Sequence, residues 1–200
     1  ALQLSCSKYL PVPSDGSQIP TGELRNTAHT LFDFSTPRVL REVVLGVDMD
    51  GTGRAGLDHC YVVDGALDPT TGQYQYDSNT ALRAWETDKE HEYLRHVATL
   101  CDPVSGRRLI LHATQPGVQI YSANWLDNTH LTDQNSQSDQ SKHPNFPHIM
   151  HNGLCLETQH FPDAVNQAPS NPFFPSVIFR PEGEQPYFHQ AVYTFDVISS

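Results

Sequence analysis

Two hundred residues suffice for one domain with a buried core, and 38% hydrophobic against 18% charged residues is the balance of a folded chain. A formal charge of −11, with only 12 scattered Lys and Arg, excludes a nucleic-acid partner, because neutralising phosphates takes clustered cations. No run approaches the ~18 apolar residues that cross a bilayer, so no membrane partner is expected either.

The first regular element is expected from residue 36. Thr36 can cap a helix with Pro37 in its first turn, and Leu40, Val43, Val44 and Val47 follow at i, i+3, i+4, i+7 spacing. Residues 64–80 read as a long polar loop. Short β-type runs come next at 95–100, 109–114 and 117–122, the first two joined by Cys101-Asp-Pro-Val-Ser-Gly106, which has the chemistry of a hairpin loop. A second polar loop covers 127–152 and includes Asn135-Ser-Gln-Ser-Asp-Gln-Ser141, too hydrophilic to pack. Further β-runs lie at 176–180 and 191–198. In the last, Tyr193, Phe195 and Val197 share one face and Thr194 and Asp196 the other, as a half-buried strand requires. Short strands with Pro and Gly between them predict an all-β sandwich or barrel carrying a single helical excursion. Cys6, Cys60, Cys101 and Cys155 show neither a C-x-x-C pair nor dense spacing, and are read as free thiols of a reducing, cytoplasmic setting.

Chemistry-bearing residues are densest between Gly153 and Gln167. Leu154, Leu156 and Thr158 alternate with Cys155, Glu157 and Gln159, so in a strand Glu157 and Gln159 share one face. A carboxylate among apolar neighbours, with Phe161 close behind, is where partial desolvation moves a pKa toward neutrality. Spacing alone fits equally a surface strand whose Glu faces water.

The segment Gly153-Leu-Cys-Leu-Glu-Thr-Gln-His-Phe-Pro-Asp-Ala-Val-Asn-Gln167 resembles the signature around the catalytic glutamate of the aldose 1-epimerase (galactose mutarotase) family. Other stretches agree in the family's order. Pro20-Thr-Gly-Glu23 with Thr30-Leu-Phe-Asp-Phe34 is similar to its "P-T-G-E … T-P-F-D-F". Gly56-Leu-Asp-His-Cys-Tyr61 resembles "G-x-D-H-x-F/Y", and Thr114-Gln-Pro-Gly-Val-Gln-Ile-Tyr121 with Asn124 resembles "T-Q-P-G-V-Q-x-Y". Phe174-Pro175, Arg180-Pro181, Gly183-Glu184, Tyr187, His189 and Tyr193-Thr-Phe195 continue the pattern. The resemblance implies an antiparallel β-sandwich that is part of a galactose mutarotase-like supersandwich, acting on an aldohexose such as glucose or galactose without metal or other cofactor. It implies Glu157 as general base, Asp58 as an acidic residue that hydrogen-bonds sugar hydroxyls, and Gln115 as a substrate-contacting amide.

The family's acid, a histidine in "H-x-Y-F-N-L", lies upstream of "P-T-G-E" together with a second histidine and an Asn-Arg pair. None of the eleven histidines here stands in that motif. The expectation is therefore a C-terminal half, inactive alone and partnered by the N-terminal half of the same protein or by a swapped copy. Three alternatives remain open at this point. One is a non-catalytic carbohydrate-binding sandwich. Another is a hexose-6-phosphate mutarotase, for which Arg107-Arg108 is the sole adjacent basic pair. The third is a metal site on His143, His148 and His151.

Overall fold

The computed structural model describes residues 1–47, 55–68, 70–71, 74–75, 81, 86–87, 93–126, 150–178 and 187–198. In chain order the elements are β1 (Leu2–Leu4), β2 (Lys8–Tyr9), β3 (Arg25–Asn26), α1 (Leu40–Val44), β4 (Asp58–Val62), β5 (Arg95–Cys101), β6 (Arg107–Ala113), β7 (Gly117–Tyr121), β8 (Cys155–Gln159), α2 (Ala164–Gln167) and β9 (Ala191–Val197). Among the described residues they build two antiparallel sheets, a four-stranded one in the order β1-β5-β6-β9 and a five-stranded one in the order β3-β2-β4-β7-β8.

Period-two alternation makes the sheets stack. Leu2, Leu4, Val97, Ala98 and Leu111 from the first sheet meet Tyr61, Val118 and Ile120 from the second in one buried cluster, with Leu156 packed against it. The helix lies against the same cluster through Val43 and Val44, and Val47 beyond its end is buried as its spacing requires. Its start differs from expectation. Thr36 does not cap it, because the Arg38 N–H and C=O are both engaged by Leu2 at 2.9 and 2.8 Å. That pairing holds the chain extended through Val39, and the helix opens at Leu40.

The hairpin between β5 and β6 forms where its turn residues stand, with Gly106 at φ +71 and Asp102 accepting the Gly106 N–H at 2.9 Å. Residues 114–116 then carry the chain from β6 in one sheet to β7 in the other. Two strand expectations are corrected. Residues 176–178 form no strand, Ile178 N–H donating instead to Ser176 Oγ at 3.3 Å, while Phe179 and Arg180 lie outside the described residues. β9 forms, but it ends its sheet, and its apolar face is largely bare: Phe195 is 72% and Val197 64% exposed. Of that face, Tyr193 reaches the opposite sheet, its hydroxyl donating to Leu156 O at 2.9 Å.

Candidate active site

The other face of the five-stranded sheet carries the polar residues. Registers Asp58↔Tyr121↔Cys155, Cys60↔Gln119↔Glu157 and Val62↔Gly117↔Gln159 run across β4, β7 and β8, so these nine positions share one side of the sheet. Gln119 sits at the centre. It lies directly opposite Glu157 on β8, and its Nε2 donates to Asp58 Oδ1 at 2.6 Å. Asp58 and Glu157 thus stand on either side of one amide, two strand spacings (about 10 Å) apart across the sheet and two residues apart along it. Gln119 Oε1 is buried with no hydrogen-bond partner among the described residues, leaving an acceptor between two carboxyl groups.

A second, smaller core closes one end of this face. Cys60, Val62, Leu10, Phe161, Ala164 and Phe174 cluster there, with Leu24 and Val177 against them. Gly117 lets the cover descend: a Cβ on it would stand 3.0 Å from both Cys60 Sγ and a Phe161 ring carbon. The cover is held by the motif residues themselves. Asp163, in the left-handed region at φ +60, accepts Asn166 Nδ2 at 2.5 Å and Gln167 Nε2 at 3.1 Å, and Asn171 Nδ2 donates to Gly22 O at 2.7 Å. Much of the sequence after Glu157 is therefore wall, and Asp58, Gln119 and Glu157 lie at its open rim.

Burial pushes the Asp58 carboxyl above its ordinary value, and the Gln119 donor partly offsets this. The neighbouring Cys155 thiol is also raised, by burial and then by the Glu157 and Asp58 carboxylates, so at neutral pH it remains a thiol.

Gln115 is placed apart from this row. It lies in the crossing from β6 to β7, 8% exposed, its Oε1 buried without a hydrogen-bond partner among the described residues, and no hydrogen bond joins it to Asp58 or Glu157 there. Gln119, the second amide of the same stretch, is the residue that sequence reasoning misses. Its signal is present all the same: Val118 and Ile120 are apolar, so alternation turns Gln119 toward the face of Asp58 and Glu157.

Beyond the Gln159 end of β8, His160, His189, Tyr74 and Tyr187 form a ring cluster. His160 and His189 centroids are 5.3 Å apart and Tyr187 lies 4.9 Å from His189. Burial, and then His160, bring His189 down to about 4, and burial lowers His160 as well, so both rings are neutral at pH 7. Tyr74 Oη donates to Thr114 O at 2.5 Å, which fixes the described part of the 64–80 loop over the crossing that holds Gln115. Arg107 and Arg108 are on β6, in the other sheet, with Arg108 paired to Asp196 at 2.5 Å. His143 and His148 lie outside the described residues; His151 Nδ1 donates to Ser122 O at 3.1 Å. Among the described residues no three His, Cys, Asp or Glu side chains converge as a metal site, and no helix is long and apolar enough to cross a membrane. All four cysteines are free.

The fold is that of the galactose mutarotase-like sandwiches. An aldose epimerase homologue from C. elegans superposes with a TM-score of 0.61 at 19% identity, over 99% of this chain and 46% of that one. A galactose 1-epimerase from Lactobacillus acidophilus gives 0.58 at 20% identity, over 98% of this chain and 43% of that one. The aldose 1-epimerase family model matches residues 1–185, and the chain belongs to that family. Human galactose mutarotase is 34% identical over 194 residues, which are 97% of this chain and 43% of the human protein. The aldose 1-epimerase of Escherichia coli is 26% identical over 165 residues, 82% of this chain and 37% of that protein. The chain thus spans less than half the length of the curated relatives it matches.

Proposed function

We propose that these 200 residues carry the base side of an aldose 1-epimerase site that interconverts the α- and β-anomers of aldohexoses. Glu157 takes the proton of the anomeric hydroxyl as an acid protonates the ring oxygen. The C1–ring oxygen bond breaks, the carbonyl group turns, and reclosure on the other face reverses both proton transfers. Asp58 accepts from sugar hydroxyls, and Gln119 offers its open Oε1 to another hydroxyl while its Nε2 steadies Asp58. Gln115, assigned substrate contact by resemblance, acts in this reading through the crossing that leads into β7. The observation that carries the proposal is the row in which Gln119 bonds Asp58 and stands in register with Glu157.

The acid belongs, in this reading, to the family's N-terminal half, which docks where, among the described residues, β8 and β9 end their sheets beside the bare Phe195 and Val197. The chain from Ala1 to Ser200 is then inactive alone. The setting we propose is cytoplasmic, in keeping with four free thiols. A phosphate cradle for hexose-6-phosphates finds little support, since Arg107 and Arg108 stand on the opposite sheet from Glu157.

Polarimetry of freshly dissolved α-glucose tests the whole scheme. Glu157→Gln in the assembled enzyme is expected to lower kcat by roughly 10²–10⁴-fold with KM little changed. A carbohydrate-binding module that performs no chemistry would show no turnover in the parent and unaltered affinity in the variant.

A further inference from the structure

Two residues of the family-like segments have no part in the acid–base scheme: Gly56, two before Asp58, and Asn124, three after Tyr121. In the structure they form one contact. Asn124 is 1% exposed; its Nδ2 donates to Leu57 O at 2.9 Å and its Oδ1 accepts from Ser122 Oγ at 2.6 Å. Ser122 Oγ accepts the Leu57 N–H at 2.8 Å, and the Ser122 N–H donates to Leu57 O at 2.9 Å. Both backbone groups of Leu57 are thus gripped by the residues leaving β7, and the next residue is Asp58. Gly56, at φ +142, makes room for the grip: a Cβ there would stand 2.1 Å from Asn124 Oδ1. From the other side His151 donates its N–H to Ala123 O at 3.1 Å and its Nδ1–H to Ser122 O at 3.1 Å, so the approach to β8 is tied to the same turn.

We infer that Asn124 is a positioning residue for the candidate sugar-binding carboxylate: seated in the space that Gly56 leaves, it fixes the Leu57 backbone and so sets Asp58 against Gln119. This rests on the proposal that Asp58 accepts sugar hydroxyls. The chemistry asks for an amide. A side chain of this size must donate to a carbonyl and accept from a hydroxyl at once; Asp loses the donor and Leu loses both. The Asn124 turn also delivers the Trp125 N–H to Tyr121 Oη at 3.1 Å, which holds the ring that stands across from Asp58 and Cys155. One buried side chain therefore governs the Asp58 corner of the row while leaving Glu157, at the centre of β8, to its own register.

A carboxyl-carbon NMR titration of this chain tests the inference without any turnover. In the parent, Asp58 is expected to protonate above its ordinary value, because burial raises it. In Asn124→Ala, and in the milder Ser122→Ala, its midpoint is expected to fall back toward that range as the carboxyl gains water. Asp102, in the distant β5–β6 hairpin, should keep its own midpoint. Asn171→Ala, which removes a comparable amide-to-carbonyl bond to Gly22, should leave Asp58 where it was. In the assembled enzyme Asn124→Ala should raise KM roughly tenfold with kcat nearly held, the signature of lost binding common to substrate and transition state. A folded Asn124→Ala chain with an unmoved Asp58 midpoint overturns the inference. If that variant does not fold, Ser122→Ala decides by the same measurement. An Asp58 shift in an assembled protein that shows no mutarotation would sink the enzymatic reading and leave the positioning role standing.

Discussion

The two margins of the sandwich are finished differently. On one side Leu2 of β1, Val97 of β5, Tyr9 of β2 and Tyr61 of β4 share one core, and Leu2, Leu57, Tyr61 and Val97 have no exposed surface at all. On the other, β8 and β9 each end their sheet, Phe195 and Val197 face solvent, and the Asp58–Gln119–Glu157 row runs out to the rim. The contrast teaches that alternation decides which side chains share a face, whereas what lies over that face is decided by long-range stacking. The Asp58–Gln119–Glu157 row lies on the outward face of the five-stranded sheet, and the residues that hold the fold lie between the two sheets.

The strongest way to break that contrast is to truncate matched positions on one face of the first sheet. Leu111→Ala, at the closed centre, is expected to cost about 2–5 kcal/mol in urea unfolding. A loss under about 1 kcal/mol would mean that the core lies elsewhere. Acid should expose the same interior next. His59 is 4% exposed between Tyr9 and Phe32, and burial holds its pKa down to about 4 against an ordinary 6.5. Its neutral form is the one that folds, so its contribution is complete above pH 6.5. That contribution is withdrawn as pH falls toward 4, by on the order of 3 kcal/mol, with no further loss below. His160 and His189 add in the same direction. Unfolding midpoints measured from about pH 7 to about pH 4.5 should follow this slope, and His59→Phe should flatten it.

At the rim, changes should touch function and spare stability. Asp58→Asn in the assembled enzyme is expected to raise KM by roughly 10–100-fold, the worth of a hydrogen bond to a charged group, with a small change in unfolding. A large fall in unfolding free energy with KM unmoved would assign Asp58 to scaffolding. The least effect is expected at Phe195→Ser on β9, within about 0.5 kcal/mol of the parent, because the ring is already in water. If it destabilises as Leu111→Ala does, the open margin is closed in solution.

Much of this architecture is legible in the residues. The strands expected at 95–100, 109–114, 117–122 and 191–198 appear within two residues of those bounds, because each is a β-branched or aromatic run ended by a turn signal. β1, β2 and β3 are two or three residues long, too short for a period to register, and exist only because a neighbour pairs with them. The helix starts later than its local signals indicate for the same kind of reason: pairing of Arg38 with the distant Leu2 outweighs a local cap. At the site, alternation places Glu157 with Gln159 on one side of a strand. It does not say that β7 will lie between Asp58 and Glu157, so resemblance favours Gln115, near the start of that stretch, over Gln119, which the register sets in the middle.

The wall beside the rim closes on itself through Asp163, Asn166, Gln167 and Asn171, and it meets the sheet at the close approach that only Gly117 allows. Phe161, Ala164 and Phe174 clamp it there against Leu10, Cys60 and Val62. A side chain at 117 is therefore expected to lift this whole wall by a few tenths of an ångström while β7 keeps its register against β8.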